Sequence, residues 1–166
     1  IINEYKNGKG YIKEYYEHSG KIKMECEYKN GERNGKGKEY APNGEIIFEG
    51  EYKNGERNGK GKEYDYNGKI IFEGEYYNGK RWNGKYKVYY ESETLIFEGE
   101  YINGEINGEV KEYYNDGKIK FEGIYLYGYK LKGKKYSRNL IFEGEYFFSK
   151  KWNGKGYDKN GKMVME

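Results

Sequence analysis

The segment FEGEY recurs at a nearly fixed interval, and that recurrence decides most of what this chain can fold into. It stands at 48–52, 72–76, 97–101 and 142–146, with FEGIY at 121–125 and a degenerate MECEY at 24–28. The steps between first residues are 24, 24, 25, 24 and 21. The ends match weakly: NEY at 3–5 enters in mid-motif and KMVME at 162–166 stops in mid-motif. Self-similarity at a period of two dozen residues marks a repeat array, in which each unit is one supersecondary element stacked on its neighbours.

Two further blocks fill the interval. The first reads NGERNGKGKEY at 30–40 and 54–64, drifting to NGKRWNGKYKVY at 78–89 and NGEINGEVKEY at 103–113. The second is a turn: PNGE at 42–45, YNGK at 66–69, NDGK at 115–118 and KNGK at 159–162. Asn and Gly tolerate positive φ, and Asn-Gly between alternating segments is the strongest short-range hairpin signal. Alternation within FEGEY points Phe48, Gly50 and Tyr52 one way and Glu49 and Glu51 the other, which a strand does and a helix does not. The expected fold is all-β: an elongated, twisted, single-sheet meander of tandem β-hairpins. It has about 15 short strands over residues 1–166, in about six full repeats of about 24 residues plus partial end repeats.

Charge supports in-order pairing. FEGEY strands carry acids such as Glu73 and Glu75, and KGKEY strands carry bases such as Lys60 and Lys62. Cross-strand opposite-charge pairs contribute about 0.2–1 kcal/mol each, and like charges directly opposed cost a similar amount. The glycines between the two aromatics, at 50, 74, 99, 123 and 144, leave backbone on which a neighbouring ring can lie flat. Phe48, Phe72, Phe97, Phe121 and Phe142 are then expected as one ladder, and Tyr52, Tyr76, Tyr101, Tyr125 and Tyr146 as a second. Rings matter here because Leu, Ile, Val and Phe make up only 28 of 166 residues. So low a share suggests disorder when net charge is high. The net charge is only +3, and 23 tyrosines supply the missing apolar area.

The pattern aromatic-x-Gly-x-aromatic, two residues, Gly, three residues, Gly-x-Gly, then a later Gly resembles the MORN repeat (membrane occupation and recognition nexus). Phe48, Gly50, Tyr52, Gly55, Gly59, Gly61 and Gly68 follow it position by position, as do Phe72, Gly74, Tyr76 and Gly79. Departures occur: Tyr86 and Val110 stand for Gly61 in later copies, residues 125–136 break the loop pattern, and the first loop, at 7–11, is short. The resemblance implies a non-enzymatic scaffold or adaptor that binds another protein. It also implies association with cytoskeletal or cortical structures or with a membrane.

No catalytic or metal-binding constellation is read. His18 and Cys26 are single, and Cys26 occupies the slot of Gly50, as a small residue under a ring. A structural zinc site wants four such ligands. GERNGKGK at 55–62 lacks the spacing and the following Ser or Thr of a phosphate-binding loop. Glutamates recur in every unit, where a catalytic pair would be singular. No cofactor is expected. Acids alternating with bases leave no basic stripe for nucleic acid. A lone cysteine fits a reducing compartment, no apolar run approaches the length that spans a bilayer, and no signal peptide is read. The expected location is intracellular and cytoplasmic.

Partner-binding candidates are the residues that break the repeat. Trp82 and Trp152 are each inserted before NGK, and Leu126, Tyr127, Tyr129 and Leu131 replace a polar loop, followed by Phe147 and Phe148. The Trp side chains either serve as hot spots or fold over their own turns. The apolar cluster either receives a partner or caps the last sheet edge. Anionic lipid binding and carbohydrate recognition are the alternative functions, and open sheet ends permit homo-oligomerisation.

Overall fold

The first Asn-Gly pair of the NGERNGKGKEY block closes a two-residue hairpin. Asn54 and Gly55 have φ of 53° and 84°, the double positive φ of a type I′ turn, and Lys53 pairs with Glu56 across it. The same geometry recurs at Asn30-Gly31, Asn78-Gly79 and Asn103-Gly104. The other turn is longer: Asp65 N–H donates to the Lys69 carbonyl, and Asp65 Oδ1 accepts from the Asn67 and Lys69 amides at 2.9 Å. Such Asx hydrogen bonds are why Asp and Asn favour turns over ladders.

The computed structural model describes residues 2–91 and 93–165. Its chain divides into two compact units, Ile1–Gly84 and Lys85–Glu166. The first unit carries β1 (Ile2–Lys6), β2 (Lys9–Tyr15), β3 (Ile22–Lys29), β4 (Glu32–Tyr40), β5 (Ile46–Lys53), β6 (Glu56–Tyr64) and β7 (Ile70–Tyr77), each antiparallel to the next. Residues of both units contribute to β8 (Lys80–Tyr90). The second unit carries β9 (Thr94–Ile102), β10 (Glu105–Ile106), β11 (Gly108–Tyr113), β12 (Ile119–Leu126), β13 (Tyr129–Tyr136), β14 (Leu140–Phe147), β15 (Lys150–Asp158) and β16 (Met163–Met165). These too follow in chain order, except that the two-residue β10 pairs with β9 beside the main path. The all-β meander of tandem hairpins read from the sequence is the fold.

Alternation sets the two faces of each unit. Phe48, Phe72 and Phe121 are fully buried on one, with Tyr52, Tyr76, Phe142 and Tyr146 nearly so. Burying one such ring contributes about 1.5–3 kcal/mol. Within each unit the two rows of rings interleave into a herringbone. Phe48 meets Tyr52 and Tyr76 edge-on at 5.7 and 5.2 Å, and Phe72 meets Tyr76 at 5.2 Å. In the second unit Phe121 meets Tyr125 and Tyr146 at 6.0 and 5.6 Å, and Phe142 meets Tyr146 at 5.6 Å. The glycines make room. A Cβ on Gly61 would lie 2.8 Å from the Phe48 ring, and one on Gly50 2.7 Å from it, so each ring covers its own strand's glycine as well as a neighbour's.

Register corrects one reading of the repeat. In the β5–β6 hairpin Gly50 faces Gly61 and Tyr52 faces Arg57, so residues 58–60 stand opposite Glu51 alone, two of them in excess. In the β14–β15 hairpin Gly144 faces Gly154, Glu145 faces Asn153 and Tyr146 faces Lys151, leaving Trp152 as a single bulged residue. Gly154, not Gly156, therefore holds the place of Gly61. Trp152 is the one residue left of the bulge in a hairpin arm that is shorter by one. Likewise Gly84 lies against Gly74, and a Cβ on it would stand 2.6 Å from the Gly74 Cα. Tyr86 therefore does not replace Gly61. It packs instead against Phe97 and Tyr101 at 5.9 and 5.5 Å. Val110 does replace Gly61, facing Gly123.

Candidate functional site

The ring face carries a repeating polar triad. The tyrosine of FEGEY donates to a glutamate on the preceding strand, and a cation from the following strand meets the same carboxylate. Tyr52 donates to Glu39 Oε1 at 2.5 Å and Arg57 Nε donates to it at 2.8 Å. Tyr76 donates to Glu63 at 2.7 Å, where Arg81 and Arg57 also bind. Tyr28 donates to Glu14 at 2.6 Å, with Arg33 Nη2 at 2.9 Å. Tyr125 donates to Glu112, with Lys130 Nζ at 2.8 Å. The cations also cover rings: Arg57 Cζ lies 4.0 Å from the Phe48 centroid, and Lys130 Nζ lies 4.5 Å from that of Phe121. Burial pushes the Glu39 and Glu63 carboxyls up, but hydrogen bonds from arginine and tyrosine outweigh it and hold both below the usual range. Burial, then the carboxylate each binds, pushes the Tyr52 and Tyr76 hydroxyls well above theirs.

These glutamates and arginines were not singled out in the sequence. The signal was there: Glu39 and Glu63 recur at the position that register places opposite Phe48 and Phe72.

The other face is a charged trough. In the first unit its floor runs Gly37, Gly50, Gly61, Gly74, and its walls alternate Lys38, Glu49, Lys62, Glu73 on one side. Lys62 reaches Glu73 at 3.1 Å and Lys38 reaches Glu49 at 3.8 Å. The second unit has a similar trough of about 850 Å³ along Gly99, Val110, Gly123, Gly133 and Gly144.

The partner-binding candidates separate. Trp82 belongs to the first unit, half-buried against Tyr77 at 5.4 Å. In the second unit Phe147 meets Phe148 at 4.8 Å and Trp152 at 5.7 Å, and Phe148 meets Tyr129 at 5.5 Å. Four of the candidates thus join through ring contacts. Leu126, Tyr127 and Leu131 are exposed on the neighbouring β12–β13 hairpin. Trp152 is 74% exposed, Tyr127 67% and Phe148 65%, so the rings touch one another while leaving most of their area in water. The turn that presents them is unusual. Phe148 and Ser149 take φ of 47° and 62° where the turns at 30–31, 54–55, 78–79 and 103–104 have Asn-Gly, and Ser149 Oγ accepts from the Lys130 amide at 3.0 Å.

Cys26 is fully buried among the rings, and burial pushes its thiol up to about 12, while His18 is exposed in the β2–β3 turn. The two are not a pair: one is in the core and the other in solvent.

An array of β-hairpins with ring–glycine packing and an exposed aromatic cluster defines a repeat protein of the hairpin-meander class. Residues 48–70 match the MORN repeat, and residues 10–30, 33–54, 82–103 and 106–127 match the MORN repeat variant. The chain belongs to the MORN repeat family. No curated protein matches it. The β14–β15 hairpin lies beyond the last matched segment yet repeats its geometry.

Proposed function

We propose that this chain is a non-enzymatic adaptor that docks a partner protein on the aromatic cluster of its second unit. The observation that carries this reading is the joined group Tyr129, Phe147, Phe148 and Trp152, exposed together on adjacent hairpins. Exposed rings in contact with one another leave apolar area in water, and such patches serve as interaction sites. Trp and Tyr are the residues that most often anchor an interface when a partner covers them. Support for a protein partner over an anionic membrane comes from the charged face. Its lysines stand opposite glutamates, as Lys62 does to Glu73 and Lys134 to Glu143 at 3.4 Å, so the field that would draw a lipid surface is largely cancelled.

The test is retention of proteins from the native extract on the immobilised chain and on its Phe147→Ser, Trp152→Ala variant. The partner is then purified and its affinity measured directly. A partner bound at least tenfold more weakly by the variant supports the reading, and equal affinity overturns it. Flotation of the chain with anionic vesicles, abolished by salt, transfers the function to membrane binding.

A further inference from the structure

The triad of the ring face is broken at the last FEGEY segment. Register puts the glutamate of each triad opposite the first residue of the FEGEY segment: Glu14 opposite Met24, Glu39 opposite Phe48, Glu63 opposite Phe72, Glu112 opposite Phe121. Opposite Phe142 the residue is Lys135. The remaining members are in place. Tyr146 occupies the tyrosine position and is paired with Lys151, which occupies the cation position, as Arg57 is paired with Tyr52 and Lys130 with Tyr125. Lys151 Nζ lies 4.5 Å over the Phe142 ring, the same distance as Lys130 over Phe121.

Two consequences follow from the exchange of a carboxylate for an ammonium. The Tyr146 hydroxyl is buried, on a residue only 6% exposed, and has no hydrogen-bond partner among the described residues. A buried hydroxyl without a partner costs about 1–3 kcal/mol. Two cations also face each other: burial and the Lys135 charge both push the Lys151 ammonium below its usual range. The one carboxylate whose charge bears on Tyr146 is Glu112, which is already bound by Tyr125 and Lys130. A donor without an acceptor and two ammonium groups without an anion among the described residues thus meet at the position where the other four triads hold Glu14, Glu39, Glu63 or Glu112.

We propose that the last triad is a binding site for a carboxylate supplied from outside the chain, accepted by the Tyr146 hydroxyl and the Lys151 and Lys135 ammonium groups. Lys151 is exposed, so its flexible stem can swing aside to admit the ligand and return onto it. The fit is to a carboxylate because Glu39, Glu63 and Glu112 satisfy the same hydroxyl and cation in the same register. The source is either the acidic side chain of a bound peptide or a small free carboxylate.

The experiment follows the Tyr146 ring-carbon resonance of the full chain, labelled at tyrosine, during titration with acetate, with a short capped peptide containing one Glu, and with inorganic phosphate. The expected result is saturable shifts with acetate and peptide, with phosphate at least tenfold weaker. A peptide at least tenfold tighter than acetate assigns the site to a partner's side chain, and comparable affinities assign it to a small free carboxylate. Lys135→Glu restores the internal acceptor, so it is expected to raise the melting temperature and abolish the shift. Tyr146→Phe removes a hydroxyl that has no partner, so it folds and binds acetate at least fivefold more weakly, measured on the Lys151 ammonium signal. No saturable shift in the wild type, phosphate binding as tight as acetate, or undiminished binding by Lys135→Glu would each overturn the proposal.

Discussion

Arg57 lies across Phe48, its guanidinium carbon 4.0 Å from the ring centroid, and from there reaches both Glu39 and Glu63. One side chain thus covers the core ring and bridges the glutamates of two strands. In a single sheet this face has no second layer to bury it, and the arginine stem and guanidinium supply the cover. Both partners of the Arg57–Glu39 pair are about one-quarter exposed, at 25% and 26%, so solvent screens the attraction only in part. Arg57→Ala is expected to lower unfolding free energy by about 2 kcal/mol, from lost cation–π contact, lost packing and two carboxylates left without their cation. Arg57→Lys keeps the charge but not the planar fork and should recover about half of that. Urea denaturation of the two variants measures both, and equal loss in both would show that charge contributes nothing here without the planar guanidinium.

The triads set the pH range of the fold. The Glu14, Glu39, Glu63 and Glu112 carboxyls are held below their unfolded values, because hydrogen bonds and charge from tyrosine, arginine and lysine outweigh their burial. Their contribution is therefore present above the unfolded carboxylate range, near pH 4.3, and is lost as pH falls through the lower folded values. The tyrosines bound the other side. Burial and then a carboxylate partner push Tyr64 and Tyr113 up to about 12, whereas Tyr136 is raised to about 12 by its Glu122 partner first and burial second. A raised value stabilises the folded chain fully below the unfolded tyrosine range, near pH 10, and that stability is lost as pH climbs through the folded values. Tyrosinate absorbance followed with circular dichroism should show a set of tyrosines, Tyr64, Tyr113 and Tyr136 among them, ionising near pH 12, together with loss of the β spectrum. Ionisation of every tyrosine near pH 10, with no step near pH 12 and the β spectrum intact, would refute this account.

Strands and turns could be read from the sequence because their causes are local. The alternation in Phe48 to Tyr52 and the Asn54-Gly55 turn each lie within a few residues. The placement of Trp152 could not, because NGK at 153–155 looks like NGK at 58–60, and only pairing across the hairpin shows that Gly154 faces Gly144. The Tyr52–Glu39–Arg57 triad was hidden for a related reason. Its members are 13 and 18 residues apart on three strands, and they converge only once the register of β4, β5 and β6 is known. The cross-strand charge pairs of the other face were readable because they follow from strand order alone.

Gly61 tests the ring packing. Its φ is not in the left-handed region, so a side chain there meets only the crowding of Phe48 and of Tyr76, whose ring would be 3.1 Å from a new Cβ. Gly61→Ala is expected to cost about 1–3 kcal/mol as an overpacked core. Combining it with Phe48→Leu should cost less than the sum of the two changes, because the smaller side chain vacates the space the Cβ needs. The second unit shows that the slot can be adapted, since Val110 fills it and is itself buried. Additive losses in the double variant would mean that the glycine serves something other than the Phe48 ring.

The Phe148-Ser149 turn sets stability against exposure. Both residues hold φ in the left-handed region without being glycine or asparagine, at about 1–3 kcal/mol each. The Asn54-Gly55 turn has the same backbone without that cost. Replacing the pair by Asn-Gly, as Phe148→Asn with Ser149→Gly, is therefore expected to stabilise the second unit by about 1–2 kcal/mol. The exposed Lys130 amide loses the Ser149 hydroxyl and takes water in its place. The same change removes one ring from the Phe147–Trp152 cluster. A variant that melts higher yet holds the partner protein more weakly would mean that strain at this turn is retained because it keeps an aromatic side chain at the tip. A variant that melts no higher would mean that the turn is relaxed as it stands.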